Sequence, residues 1–211
     1  MLRLFYVRRE GQVMRILLVG SEGMLGRALR AELGSRHEVV GAGRTRGDLR
    51  VDVTDTSSIA AMYAKLGQVD AVVCAAGEAH FGPLGEASRE DFMVGVRSKL
   101  MGQIDLVLQG LPQVRDQGSF TLISGITERD PVRGFVNSSM VNAALGGFVL
   151  GAAIEMPRGL RINVVSPGLF AEAADLYPGV FPGHVPVPLA TVSKAFAKSV
   201  EGGITGKVIC P

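Results

Sequence analysis

Ile16-Leu17-Leu18-Val19-Gly20-Ser21-Glu22-Gly23-Met24-Leu25-Gly26 is the stretch that decides the fold. Four apolar residues in a row, ended by glycine, read as a strand buried on both faces of a parallel sheet. Gly20 to Gly26 then runs as GxxGxxG into a helix over 24–33. Leu25, Leu29 and Leu33 share one face of that helix at i, i+4 and i+8. A glycine turn between a buried strand and a helix lets the backbone come close to an anion. The helix start meets that anion with free amides and the positive end of its dipole. The competing interpretation is a tight turn with no ligand. The strand–loop–helix setting favours the anion site.

The same alternation continues outward from this unit. Strands are predicted over 38–42, 49–51, 71–75, 120–123, 160–165 and 207–209. Helices are predicted from an Asp55 or Thr56 cap through Leu66, and over 90–109, 137–155 and 191–200. This pattern implies a doubly wound parallel α/β sheet, with ligands beyond the carboxyl ends of the strands. A chain of 211 residues, 47% hydrophobic and 20% charged, fits one folded domain, here 14–211, and excludes disorder as its main state. The 28 glycines lack a G-X-Y period, so collagen is excluded. A net charge of +2 gives no case for nucleic acid, and no apolar run of about 18 residues suggests a membrane span. Cys74 and Cys210 lack metal-ligand spacing and are expected as small core hydrophobes in a reducing cytoplasm. The leader MLRLFYVRREGQV has no small-residue cleavage site. Met14 is expected as the natural start, with 1–13 a poorly ordered extension in which Arg3, Tyr6, Arg8 and Arg9 carry no function.

Gly43-Arg44-Thr45-Arg46 follows the second strand. In a dinucleotide fold an NAD site usually carries an acidic residue here, to bind the ribose hydroxyls. A guanidinium pairs instead with a 2′-phosphate, so Arg44 with Thr45 argues for NADP(H). The alternative is a solvated surface arginine.

With these motifs in order, the chain from Met14 on resembles the short-chain dehydrogenase/reductase family. Asp52-Val53 is similar to the family's adenine-binding pair. Cys74-Ala75-Ala76-Gly77 resembles its Asn-Asn-Ala-Gly stretch, keeping the Ala-Gly that lies along the adenosine ribose. Arg161-Ile162-Asn163-Val164-Val165-Ser166-Pro167-Gly168 matches its sixth strand and the turn that borders the nicotinamide, with Leu169 and Phe170 following. The resemblance implies a single Rossmann-type domain with strand order 3-2-1-4-5-6-7, a nicotinamide cofactor, expected as NADP(H) from Arg44 and Thr45, and oxidoreductase chemistry on a small carbonyl or alcohol. It also implies a homodimer or homotetramer through the helices over 90–109 and 137–155.

The catalytic motif departs from the family. Tyr6, Tyr63 and Tyr177 are the three tyrosines, and none has a lysine four residues on. Aligned on Ala143-Ala144-Leu145-Gly146-Gly147-Phe148, the family's tyrosine position holds Ser138 and its lysine position Asn142. Its serine position holds Gly125, with Ser124 just ahead. A one-residue slip brings in Ser139 or Met140 and recovers no phenol. Losing a positioned general acid costs about 10²–10⁴ in rate. Replacement proton donors near the strand ends are Glu78, His80, Glu128, Tyr177 and His184, each also readable as a surface or turn residue. Lys99 stands where the family has asparagine, so lysine and asparagine are exchanged between neighbouring helices. Lys99 is therefore expected to hold the nicotinamide ribose with Asn142 completing the polar network; the alternative is a lysine reaching to the surface. Leu169, Phe170, Leu176, Tyr177, Val180, Phe181 and Val185 suit a reduced roof over a small apolar substrate, and equally a loop packed on the core. A non-enzyme reading also stands: a nicotinamide-sensing regulator or interaction protein, or a structural subunit paired with an active partner.

Overall fold

Seven strands form one parallel sheet in the order β3-β2-β1-β4-β5-β6-β7. The computed structural model describes residues 12–211. The expectations for Arg3, Tyr6, Arg8 and Arg9, and most of the 1–13 extension, lie outside the described residues. Met14 is buried, and its carbonyl accepts from the Glu38 amide. In chain order the strands are β1 (Arg15–Val19), β2 (Glu38–Gly43), β3 (Leu49–Arg50), β4 (Val69–Cys74), β5 (Val114–Ile123), β6 (Arg161–Val165) and β7 (Lys207–Ile209). The helices are α1 (Met24–Gly34), α2 (Thr56–Leu66), α3 (Arg89–Gly95), α4 (Gly102–Gly110), α5 (Val136–Ala153) and α6 (Leu189–Glu201).

The continuous apolar run of β1 serves two cores at once, because successive side chains leave a strand on opposite faces. Leu17 and Val19 point into the layer with Ile59, Leu106 and Leu145, from α2, α4 and α5. Ile16 and Leu18 point into the layer with Leu29 and Phe196, from α1 and α6. The predicted cap of α2 is Asp55, whose carboxylate accepts from the Ser57 amide at 2.8 Å.

Three elements differ from the expectation. β5 begins at Val114, not at 120, and its first half carries exposed Arg115, Asp116 and Gln117, whose polarity disguises it as a loop. The helix predicted over 90–109 is two α-helices joined by a π-helical segment, Val96–Met101. The loop after β6 contains a 3₁₀ turn, Ala171–Leu176, and a strand-like bridge of Phe170 to Val187. By length and composition α5 is apolar enough to cross a membrane, which the sequence reading did not anticipate. It packs here along β6 and β7, and Val141, Leu145 and Val149 on it are buried.

Candidate functional site

The carboxyl ends of β1, β2 and β4 part around a cavity of about 420 Å³. Its floor is the glycine loop. The Gly20 amide donates to Ala42 O, and Gly23 precedes α1 with no side-chain cap and no acidic residue in the first turn. That leaves the helix start open to an anion. Gly26 is a close approach: a Cβ there would run into the Gly20 carbonyl and the Ser21 backbone. Only glycine lets α1 sit this tightly on the loop. The expected cofactor residues divide accordingly. Gly20, Glu22 and Gly23 line the cavity with Arg44, Thr45, Asp52, Val53, Ala75, Ala76 and Gly77. Leu25 turns into the core, Ser21 is buried with its hydroxyl on Glu22, and Met24 is exposed at the start of α1. These last three shape the loop rather than face the cleft.

Two charged groups mark the β2 side. Arg44 is exposed and lies 3.7 Å from the equally exposed Glu78, a pairing worth little in solvent. Hydrogen bonds from the Thr54 hydroxyl and amide, helped by the Arg44 charge, hold the Asp52 carboxyl below the usual carboxylate range. The fit to a dinucleotide is therefore good: an open helix start over a cradle that a side chain would fill, an ionised carboxylate, and a guanidinium beyond β2.

Gly77 and Ser98 line the cavity, and Lys99 follows Ser98 in the chain. Gly77 has φ +131°, and a Cβ on it would stand 2.8 Å from Lys99 Cα, so the loop after β4 lies directly on the π segment. Lys99 is half-buried, and its ammonium donates to Ser124 O at 3.2 Å, at the carboxyl end of β5. The amine thus points toward the strand ends and not to the surface. Burial pushes its pKa down to about 8, with Cys74 and Glu128 pulling the other way. The neighbouring Cys74 thiol is itself pushed up to about 12 by burial.

Ser138 and Asn142 are both buried on α5. Asn142 Nδ2 donates to Thr127 Oγ1 at 2.9 Å and to Ser138 Oγ at 3.2 Å. A Cβ on Gly125 would meet Asn142 Nδ2 at 3.1 Å, so the carboxamide occupies the space beside the missing serine side chain. Tyr63 cannot stand in for a phenol here. It is buried under α4, donating to Leu106 O at 2.7 Å, and burial pushes its pKa far up. Of the proposed proton donors, Glu128 lies within electrostatic reach of Lys99 and pairs with Arg129, which also holds Ser166 Oγ and O after β6. His80 sits 3.5 Å from Asp91. Tyr177 and His184 both pack edge-on to Phe181, which meets Phe135, forming an aromatic roof over the loops. Ile126 N donates to Pro167 O, and Leu169 O accepts from Val187 N, so the turn after β6 is fixed on both sides.

Sequence reasoning missed Gln103. Its amide donates to Ile123 O and Lys99 O and accepts from Ile123 N, each at 2.9 Å. It takes up the Ile123 backbone groups beyond the last β4–β5 pair, Val73 with Thr121. The signal available was its position four residues after Lys99, among apolar residues of the same helix. Thr127 carries no comparable signal.

Residues 26–179 match the family model described as enoyl-(acyl carrier protein) reductase. The chain is 30% identical over 125 residues to the 2,3-dihydro-2,3-dihydroxybenzoate dehydrogenase of Escherichia coli (strain K12). That alignment covers 56% of this chain and spans half the length of the relative. Among solved structures, the protein lin1944 from Listeria innocua is 47% identical, with a TM-score of 0.93 over 94% of this chain and 99% of that one. A small-chain dehydrogenase solved in complex with NADPH shares the fold at 21% identity, with a TM-score of 0.84 over 95% of this chain and 97% of that one. The matched segment runs from the last glycine of the loop to beyond the turn after β6, most of the domain, and by it the chain belongs to the short-chain dehydrogenase/reductase family of oxidoreductases.

Proposed function

We propose that this chain binds NADP(H) and acts as an oxidoreductase on a small carbonyl or alcohol. The observation that carries the reading is the cavity itself, an open helix start flanked by Arg44 and Thr45 with no acidic residue at the end of β2. A 2′-phosphate draws Arg44 away from its weak contact with Glu78 into a charge-assisted pairing. When bound, the reduced nicotinamide supplies hydride. The chain's own share is to orient it: the loop 20–26 takes the pyrophosphate, Asp52 and Val53 the adenine, Ala75, Ala76 and Gly77 the ribose beside it. Pro167, Gly168, Leu169 and Phe170 border the reacting end, and Ser124, Ser138 and Asn142 make its polar wall. Fluorescence titration tests the preference. NADPH binds at least about tenfold tighter than NADH, and Arg44→Ala removes most of that margin. Equal affinities for the two cofactors overturn it.

The buried Ser138–Asn142 pair in place of a phenol and its lysine favours a second reading, a cofactor-bound sensor without turnover. Stopped-flow oxidation of bound NADPH against a carbonyl panel separates the two: reaction with any member supports the enzyme.

The partner in either case is a small molecule in the cytoplasm, neither nucleic acid nor membrane. The reading includes a homodimer or homotetramer through the α4 and α5 faces. Met101, Leu108, Met140 and Leu150 leave apolar surface exposed there, and Gly147 and Gly151 allow close helix approach. Light scattering at micromolar concentration should give a multiple of 22.2 kDa. A strictly monomeric mass contradicts this.

A further inference from the structure

Five buried side-chain polar atoms among the described residues have no hydrogen-bond partner, and three of them gather at the turn whose Ser124 carbonyl accepts from the Lys99 amine. Ser124 Oγ and Glu128 Oε2 belong to the turn after β5, and Asn142 stands beside Gly125 of that turn from α5 with its Oδ1 unpartnered. Leaving a buried polar group unsatisfied costs about 1–3 kcal/mol, so three around one turn mark unspent hydrogen-bonding capacity. Lys99 Nζ has spent one of its three donors, on Ser124 O, and its charge is felt by Glu128. A hydroxyl group matches that set: it accepts from the ammonium and donates to a waiting oxygen.

This cluster adjoins the cavity through the chain. Gly77 and Ser98 line the cavity, and Lys99 follows Ser98 and lies under Gly77. Arg44 marks the opposite end, beyond β2, so a dinucleotide with its phosphate at Arg44 brings its far ribose toward β4 and β5. The π-helical segment supplies the placement. One extra residue in the turn, pinned by Gln103 to β5 and by Gly77 from above, aims Lys99 inward.

We propose that Lys99 is the cofactor-facing cation of this site, holding the nicotinamide-side ribose hydroxyls between its ammonium and the orphan oxygens of Asn142 and Glu128. This rests on the NADP(H) reading above. The titratable groups that act on Lys99 are Cys74 from β4 and Glu128 from the turn after β5; Ser138 and Asn142 on α5 are neutral and bonded to each other, and Glu78 on the loop after β4 is turned to Arg44. Only the charged amine serves, so binding favours protonation. An amine whose pKa lies near 8 in the free protein then takes up a proton as the cofactor binds at pH 8.5.

The test is NADPH titration between pH 6.5 and 9.5, with proton uptake followed by an indicator dye at pH 8.5, on the parent, Lys99→Met and Lys99→Arg. The parent is expected to lose affinity as pH rises through about 8 and to take up a fraction of a proton. Lys99→Met binds about tenfold to a hundredfold more weakly below pH 8, with no pH dependence and no uptake. Lys99→Arg, charged throughout, keeps a flat profile and no uptake, and it carries the result if the methionine variant fails to fold. A parent that binds NADPH with a flat profile, or an arginine variant that retains the fall through pH 8, overturns the role of Lys99 and leaves the cofactor reading intact. A parent that binds no NADPH overturns the cofactor reading itself.

Discussion

Gly26→Ala unfolds about 3 kcal/mol more readily than the parent and loses measurable NADPH binding. The added methyl meets the Gly20 carbonyl oxygen, Ser21 C and Gly20 C, all backbone atoms with no rotamer to yield. α1 must move off the loop to relieve them. That movement opens the packing of Leu25, Leu29 and Leu33 against β1, and it carries the helix start away from the cavity. A surface glycine offers the contrast. A Cβ on Gly85 meets nothing within 4 Å, so Gly85→Ala leaves both properties unchanged. Denaturant unfolding and fluorescence titration on the two variants check the pair. Parent-like values for Gly26→Ala contradict the close-approach argument.

Gln103→Leu costs about 3 kcal/mol with the cavity left open. The substitution roughly keeps the volume and removes the amide. Ile123 N and Ile123 O then lose the partners they hold at the edge of β5, in a place sealed from water. Lys99 O loses its contact too, so the π segment is released from the strand. The expected signature is a double one. Stability falls in denaturant unfolding, and NADPH affinity falls with it because Lys99 is no longer held against Ser124 O. Replacing the half-buried Gln109 by leucine should do neither to the same degree, since its one amide contact, to Thr56 O, is exposed.

How far the sequence carried these conclusions follows from the range of the forces involved. β1, the glycine loop and α1 were legible because each is written locally, as an apolar run, a spacing of glycines and a leucine face. The doubly wound layering followed from alternation and the handedness of crossovers, and the strand order from the family resemblance. The first half of β5 was not legible. Arg115, Asp116 and Gln117 are polar and have no partner on β4: the ladder passes from Val69 with Val114 to Ala71 with Ser119, and only the pairs on either side of this irregularity make the segment part of the strand. The π segment was hidden for a related reason. Leu100, Ile104 and Val107 satisfy an ordinary helical period, and one inserted residue changes the aim of Lys99 without disturbing the pattern. Arg44 and Asp52 were found from their place after a strand. Gln103 and Thr127 act only through partners distant in sequence, Ile123 and Asn142, so no local pattern announces them.

The most direct measurement of the central claim is a crystal structure of this chain grown with NADPH. The account predicts density along the carboxyl ends of the strands, with pyrophosphate on the loop from Gly20 to Gly26, the 2′-phosphate at Arg44 and the nicotinamide-side ribose at Lys99. Clear density for NADPH elsewhere, or a cleft that stays empty at saturating cofactor, would contradict it.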